Sequence, residues 1–273
     1  MRRYTGKTLV LEIVMITVAL VFFFPAYILI NIAFKSSHDA TPDYLPTAVP
    51  TLENLVRVWN DGVITSALVN SLIVTGVSVA VLVTIAALAS YPLARVTRTW
   101  SRAMFFFFLL GLLLPFQLGL IPLYTTVRDL NLLGSLLSVI IFNIGIHLPF
   151  AVFLYTTFLR GIPEEYEEAA AIDGASRFTT FHQVVFPLLR PVTGSVIILS
   201  VVFVYNDFFT PLLYLSGSGN QTAPVALSSY VGQFASDWNS VFAGLVVSSL
   251  PVLVAYFIMQ RSVIKGFGGG LKG

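Results

Sequence analysis

The sequence predicts an all-α integral membrane protein with six transmembrane helices and a cytoplasmic helix-turn-helix loop. Three observations predict it. Hydrophobic residues make up 56% of the 273-residue chain and charged residues 10%, with a mean hydropathy of +0.87, too few polar groups to coat a soluble globule. Six apolar segments, at about 9–34, 66–90, 103–124, 136–158, 192–215 and 240–260, are long enough to cross roughly 30 Å of hydrocarbon. Basic residues are distributed unevenly between the connections. With Arg2 and Arg3 inside, the inner side also holds Lys7, Arg95, Arg98, Arg102, Arg160, Arg177, Arg190, Arg261, Lys265 and Lys272, and the outer side only Lys35, Arg57 and Arg128. That bias places both termini and the loop after the fourth span in the cytoplasm.

The first span follows Met1-Arg2-Arg3. Its apolar run is too long for a signal peptide and lacks a small-x-small cleavage site, so it reads as a retained helix. The connection from Lys35 to Thr65 carries prolines and acids without sustained periodicity, with one short helix expected around Leu52 to Trp59. Phe105 to Phe108, in the third span, suits lipid-facing or interhelical packing. The fifth span is interrupted by Tyr205-Asn206-Asp207 and by Pro211, and a glycine-rich tail follows the sixth. The organisation expected is an N-terminal part, 1–65, a five-helix core, 66–260, that includes the loop 161–191, and a tail, 261–273.

The loop 161–191 concentrates charge where the rest of the chain avoids it. Glu164, Glu165, Glu167 and Glu168 are four of the chain's 13 acids. Pro163 suits a first helical turn, and acids there complement the helix dipole. Ala169 to Ala171 extend the helix, and Gly174 supplies a left-handed stop after Asp173. A second short helix carries Phe178, Phe181 and Val185 on one apolar stripe, and Pro187 and Pro191 are expected to end it. Such a pair of helices suits docking into the groove of a partner.

The spacing within this loop is specific. Glu168-Ala169-Ala170, three residues, Gly174, nine residues, then Val184-x-Phe186-Pro187 resembles the EAA loop of binding-protein-dependent ABC importer permeases, with Val184 and Phe186 in place of isoleucine and leucine. Asn70-Ser71, Ser90-Tyr91-Pro92-Leu93-Ala94-Arg95, Leu114-Pro115-Phe116-Gln117, Ile121-Pro122-Leu123-Tyr124 and Asn206-Asp207-Phe208 look like the carbohydrate-uptake branch of that family.

The resemblance implies a type I importer in which this chain pairs with a second homologous permease as a heterodimer. Two cytoplasmic ATPase subunits would drive it and an extracytoplasmic binding protein would deliver a sugar or oligosaccharide. It places Glu168, Ala169, Ala170 and Gly174 at motif positions against the ATPase, Glu168 facing an arginine, with Asp173, Ala175 and Pro187 beside them. No G-x-x-x-x-G-K-[ST] occurs, so ATP and Mg are expected on the ATPase and no cofactor on this chain.

Polar residues inside the spans are few. Asn206, Asp207 and Gln117 are candidate pathway residues, since an ionisable group in a span is costly unless it faces the bundle interior or water; for Asn206 and Asp207 the competing reading is an interhelical hydrogen bond or a helix break. Glu12 is read as an interfacial group or a partner of Lys7, and His147 as an interhelical hydrogen-bonder. No His, Asp or Glu set has metal-site spacing, the absence of cysteine excludes disulfides and thiolate sites, and a net charge of +2 gives no case for nucleic acid. A secondary carrier using Asp207 or Glu12 as its coupling carboxylate, or a permease for a non-sugar solute, is the alternative.

Overall fold

A computed structural model of the chain describes residues 6–233 and 237–268. Four continuous helices are long and apolar enough to cross a membrane: α1 (Gly6–Ala33), α3 (Val63–Arg95), α6 (Leu136–Arg160) and Trp238–Gln260 of α13 (Trp238–Gly268). α2 (Glu53–Asp61) precedes α3, within the region where the sequence suggests a short helix. Two bent pairs of helices among the described residues are apolar enough only when each is taken together. Thr99–Leu113 (α4) and Phe116–Asp129, whose last ten residues are α5 (Leu120–Asp129), meet at 90°. Arg177–Leu188 and Arg190–Tyr205 (α10) meet at 73°.

The first bend corrects the expectation of one helix over 103–124. Pro115 lacks an N–H, and its ring drives the preceding residue out of the helical region. Leu114 accordingly sits at φ −78, ψ 119, and a single 3₁₀ turn, Phe116–Gly119, restarts the chain in a new direction. The second bend corrects the stop expected at Pro187. The surface helix runs through α8 (Arg177–Thr180), a π turn at Phe181–Val185 and α9 (Phe186–Leu188). Pro187 falls in the first turn of α9, where its missing N–H is tolerated, and the bend comes at Leu189. After α10 the fifth span breaks at the polar residues, as its sequence suggests, and resumes as α11 (Phe209–Tyr214).

Two compact units result. One comprises residues 67–225 with 251–268; the other, residues 6–66 with 226–250, includes most of α12 (Ala223–Gln233). In the first unit α6 is the central post, with Val139, Val152, Tyr155 and Leu159 wholly buried against residues such as Leu82 and Ala86 of α3 and Val196 of α10. Lipid tails are as apolar as leucine, so such spans associate through close packing and hydrogen bonds between helices. The Tyr155 hydroxyl on Thr193 Oγ1 (3.0 Å) and the Ser90 hydroxyl on the Val152 carbonyl (3.3 Å) are two such bonds.

In the other unit, the 34–52 connection is held by side chains where regular structure is missing. Asn31 Nδ2 donates to the carbonyls of Asp43 and Leu45 and its Oδ1 accepts from Thr47 N–H. Asn54 Nδ2 donates to the carbonyls of Ala33 and Lys35. The Lys35 ammonium, almost buried, pairs with Asp43 at 2.7 Å and reaches the Thr41 carbonyl. Asp39 accepts from the N–H and hydroxyl of Thr41, the hydroxyl of Thr47 and the N–H groups of Ala48 and Val49. These donors, the Thr47 hydroxyl first, hold its carboxyl well below the usual carboxylate range.

A carboxylate depressed in the folded state stabilises that state above its unfolded pKa, about 4, and the contribution fades as pH falls towards the folded value. The amides of 41–49 should therefore keep their protection from hydrogen exchange, corrected for intrinsic rate, down to about pH 4 and lose it only below. Asp39→Ala should lose that protection already at neutral pH.

Candidate functional site, a loop latched to the end of a span

α7 (Glu165–Ile172) begins two residues after Pro163 and ends at Asp173 and Gly174. Gly174 adopts φ +81, so the turn uses the left-handed region expected from the sequence. Ser176 then caps the second helix, its hydroxyl accepting from Thr179 N–H at 3.2 Å. Between the two helices lies an open cleft of ≈ 600 Å³ lined by Ala170, Asp173, Gly174, Ala175, Ser176 and Thr179 among others.

Glu168, Ala169 and Asp173 are exposed, as is Ile172, 86% accessible at the helix end, while Ala170 and Ala175 are half-buried. Of the candidate residues, Ala170, Asp173, Gly174 and Ala175 line this cleft, while Glu168 lies on another face of α7, lining a second cleft with Glu164, Glu167, Arg95 and Arg177. Pro187 does not join them; it sits half-buried beyond the π turn. Phe178 departs from the expected stripe. Phe181 and Val185 are buried, but Phe178 is 73% exposed, stacked parallel to His182 at 6.4 Å, because the first turn of this helix projects beyond the core that the later turns meet.

The residue that anchors α7 is Glu167. Adjacent helical residues point about 100° apart, so Glu167 turns inward where Glu168 turns outward. Its Oε1 meets Arg95 Nε at 2.7 Å and its Oε2 accepts from the Tyr91 hydroxyl at 2.8 Å. Arg95 also donates through Nη1 to the Leu159 carbonyl and through Nη2 to the Ile162 carbonyl, both at 3.0 Å. One guanidinium therefore joins the end of α3, the end of α6 and the start of the loop. The Arg95 and Glu167 side chains are only 12% and 15% exposed. Alongside, Arg160 lies over the Phe105 ring at 4.5 Å, so the aromatic run supplies packing at Phe105 and exposed surface at Phe106 and Phe107.

A second polar group stands where α6 faces the break after α10. Asp207 Oδ1 accepts from Thr210 N–H (3.2 Å), starting α11, and Oδ2 accepts from Asn143 Nδ2 (3.3 Å). Asn143 is buried, and its Oδ1 has no hydrogen-bond partner among the described residues. His147 Nδ1 is 2.8 Å from the Asn143 carbonyl, which can only accept, so that nitrogen carries the proton. Asn206 turns back to the Val202 carbonyl, and Gln117 is exposed on the turn between α4 and α5 without a hydrogen bond to Asn206 or Asp207 among the described residues. Glu12 lies half-buried on α1.

Residues 83–266 match the family described as the binding-protein-dependent transport system inner membrane component. The chain belongs to this family. It is similar to the melibiose/raffinose/stachyose import permease protein MelC of Bacillus subtilis (strain 168), 32% identical over 93% of this chain and 92% of that protein. It is also similar to the probable starch degradation products transport system permease protein AmyC of Thermoanaerobacterium thermosulfurigenes, 29% identical over 99% and 98%. In fold it matches a chain in the crystal structure of a bacterial ABC transporter involved in the import of the acidic polysaccharide alginate. That match has a TM-score of 0.83 at 20% identity, over 96% of this chain and 99% of that one.

This inner membrane component is therefore a multi-pass membrane protein and a transport subunit, and family membership sets aside the secondary-carrier alternative. Among the described residues no group of three or more His, Asp or Glu is placed to hold a metal ion. Sequence reading passed over Arg95 and Glu167 as a pair. Their signals were present: an arginine closing a long apolar span in Ser90-Tyr91-Pro92-Leu93-Ala94-Arg95, and a run of acids too dense for all of them to point outward.

A Cβ at Gly174 would meet nothing within 4 Å, so a substitution there costs backbone conformation alone. Gly174→Val should weaken the turn by about 1–2 kcal/mol, and Gly174→Asn, which visits the left-handed region more readily, by less. Hydrogen exchange of the α7 amides should speed up in the order Asn, then Val.

Proposed function

We propose that this chain is the permease subunit of an ATP-driven importer that moves a sugar or oligosaccharide across the cytoplasmic membrane. Its α7 loop would be seated in a cytoplasmic ATPase. The observation that supports this reading is that Glu168, Ala169, Ala171 and Ile172 of α7 are exposed while Glu167 holds the helix from behind. An acid and a bulky apolar group projected beside small residues suit a cleft that supplies an arginine and an apolar floor.

Asp173, Ala175 and the cleft they line would take side chains from the ATPase; Pro187 acts indirectly, by shaping the second helix. The distribution of basic residues supports cytoplasmic termini and a cytoplasmic α7. The relatives' printed substrates, among them melibiose, raffinose and stachyose, support a carbohydrate. Asn206, Asp207 and Gln117 remain the proposed pathway residues. Asp207 has the strongest support of the three, since with Asn143 it offers hydrogen-bond acceptors of the kind hydroxyl-rich solutes require. Membership of the binding-protein-dependent transport family supports pairing with a second permease. Two ATPases holding ATP and Mg, and a solute-binding protein outside, complete the assembly.

Reconstituted with the binding protein, partner permease and ATPase, the chain should support ATP-dependent sugar uptake into proteoliposomes. Glu168→Lys should reduce uptake by about tenfold or more, as expected when a charge pair at an interface is reversed, with the ATPase recovered poorly on co-purification. Asp207→Ala should lower uptake while ATPase association stays intact. Full uptake and full association in Glu168→Lys would overturn the coupling assignment.

A further inference from the structure

α3 is gripped at both ends by hydrogen-bonding side chains. At one end Tyr91 and Arg95 hold Glu167 of α7, with Arg95 also on the carbonyls of Leu159 and Ile162. At the other, Asn70 Nδ2 donates to the Gln221 carbonyl at 3.0 Å, and the buried Ser71 hydroxyl accepts from Ala223 N–H at 2.8 Å. The 217–223 connection held there is itself shaped by left-handed turns at Gly217 and Gly219. From Asn70 to Arg95 the helix is unbroken, a length of about 37 Å at 1.5 Å per residue, so the two grips lie on opposite faces of the membrane.

Between the grips, among the described residues, α3 makes one side-chain hydrogen bond to a neighbouring helix, from Ser90 beside the Tyr91–Arg95 grip to the Val152 carbonyl of α6. Its buried face carries Thr75, Ser78, Val79, Leu82, Ala86 and Ala87, and among the described residues no side chain from Thr75 to Ala89 forms a hydrogen bond to another element. A helix face held mainly by packing, with few bonds to its neighbours, can shift against them. The only proline in α3, Pro92, lies between Tyr91 and Arg95. Proline removes a helical hydrogen bond and makes its turn the weak point of a helix. The two-point hold on Glu167 spans that turn and splints it.

We propose that α3 is a strut that carries the position of α7 across the membrane to the 217–223 connection, with Glu167, Arg95 and Asn70 as positioning residues for transport. This rests on the reading of α7 as the ATPase-coupling helix. α6 reaches α7 only through the four residues 161–164, beginning with Gly161, and Arg95 is what fastens that joint, through the carbonyls of Leu159 and Ile162. An α7 displaced by an ATPase would therefore pull α3 through Glu167 and Arg95. At the far end, Asn70 and Ser71 would move the backbone of Gln221 and the start of α12.

The assembled complex in lipid nanodiscs tests this, with a single cysteine introduced by Ser216→Cys, an exposed site in a chain that has no cysteine. The rate of maleimide labelling should differ between nucleotide-free and ATP-bound complexes by about fivefold or more, the lower end of site-to-site coupling. Glu167→Gln should bring the two rates together and lower the solute moved per ATP, with the ATPase still co-purifying in full. Asn70→Ala, at the opposite face from α7, should do the same. A nucleotide-dependent difference that persists in Glu167→Gln, or in Asn70→Ala, overturns the strut, as does loss of the ATPase from Glu167→Gln, which would make that residue a docking group. An ATPase that fails to associate even with the unaltered α7 removes the coupling reading itself, and the strut with it.

Discussion

The guanidinium of Arg95 decides how the 161–191 loop is built. It closes α3, holds the last carbonyls of α6 and Ile162, and presents Nε to Glu167, so three segments are positioned by one planar group. Lysine could not do this, because a single ammonium lacks the rigid fork that serves three directions at once. Both charged side chains are largely removed from solvent. In such a setting the cost lies in leaving one charge without its partner, on the order of 3–5 kcal/mol. The loop is thereby fixed from behind, through Glu167, while Glu168 and Ile172 stay exposed.

The bends in the spans follow from a related constraint. Backbone groups in hydrocarbon must find partners inside the protein, so a helix is interrupted only where side chains or turns replace its bonds. At Pro115 a 3₁₀ turn takes up the chain, and at Asp207 the carboxylate accepts the Thr210 N–H that the break exposes. The latter makes Asp207 a structural cap that also bonds to Asn143 of α6, the helix-break and interhelical reading of its sequence.

Hydropathy made the apolar segments legible, and the placement of Gly174, the prolines and the alanines made the loop legible to within a residue or two. What escaped was direction. A window of apolar residues reads the same whether the helix runs straight or turns through 90°, which is why 103–124 looked like one span until Leu114 was seen in extended geometry. Glu167 and Glu168 are indistinguishable as letters, and their opposite roles come from the rotation between successive helical residues. Phe178 kept the spacing of the stripe but lacked a surface to pack on. The order in 34–52 was hidden for a different reason: it is carried by Asn31, Asp39 and Asn54 bonding to backbone, which leaves no periodic trace.

The central claim is that the Arg95 fork, and not chain connectivity alone, holds α7 in place. Hydrogen exchange of the amides 165–172 in Arg95→Lys tests it most directly, since the charge is kept and only the fork is lost. The account predicts exchange faster by about tenfold or more, equivalent to some 1.4 kcal/mol of lost protection, with the amides of α6 before Leu159 unchanged. Equal protection of α7 in the two proteins would contradict it.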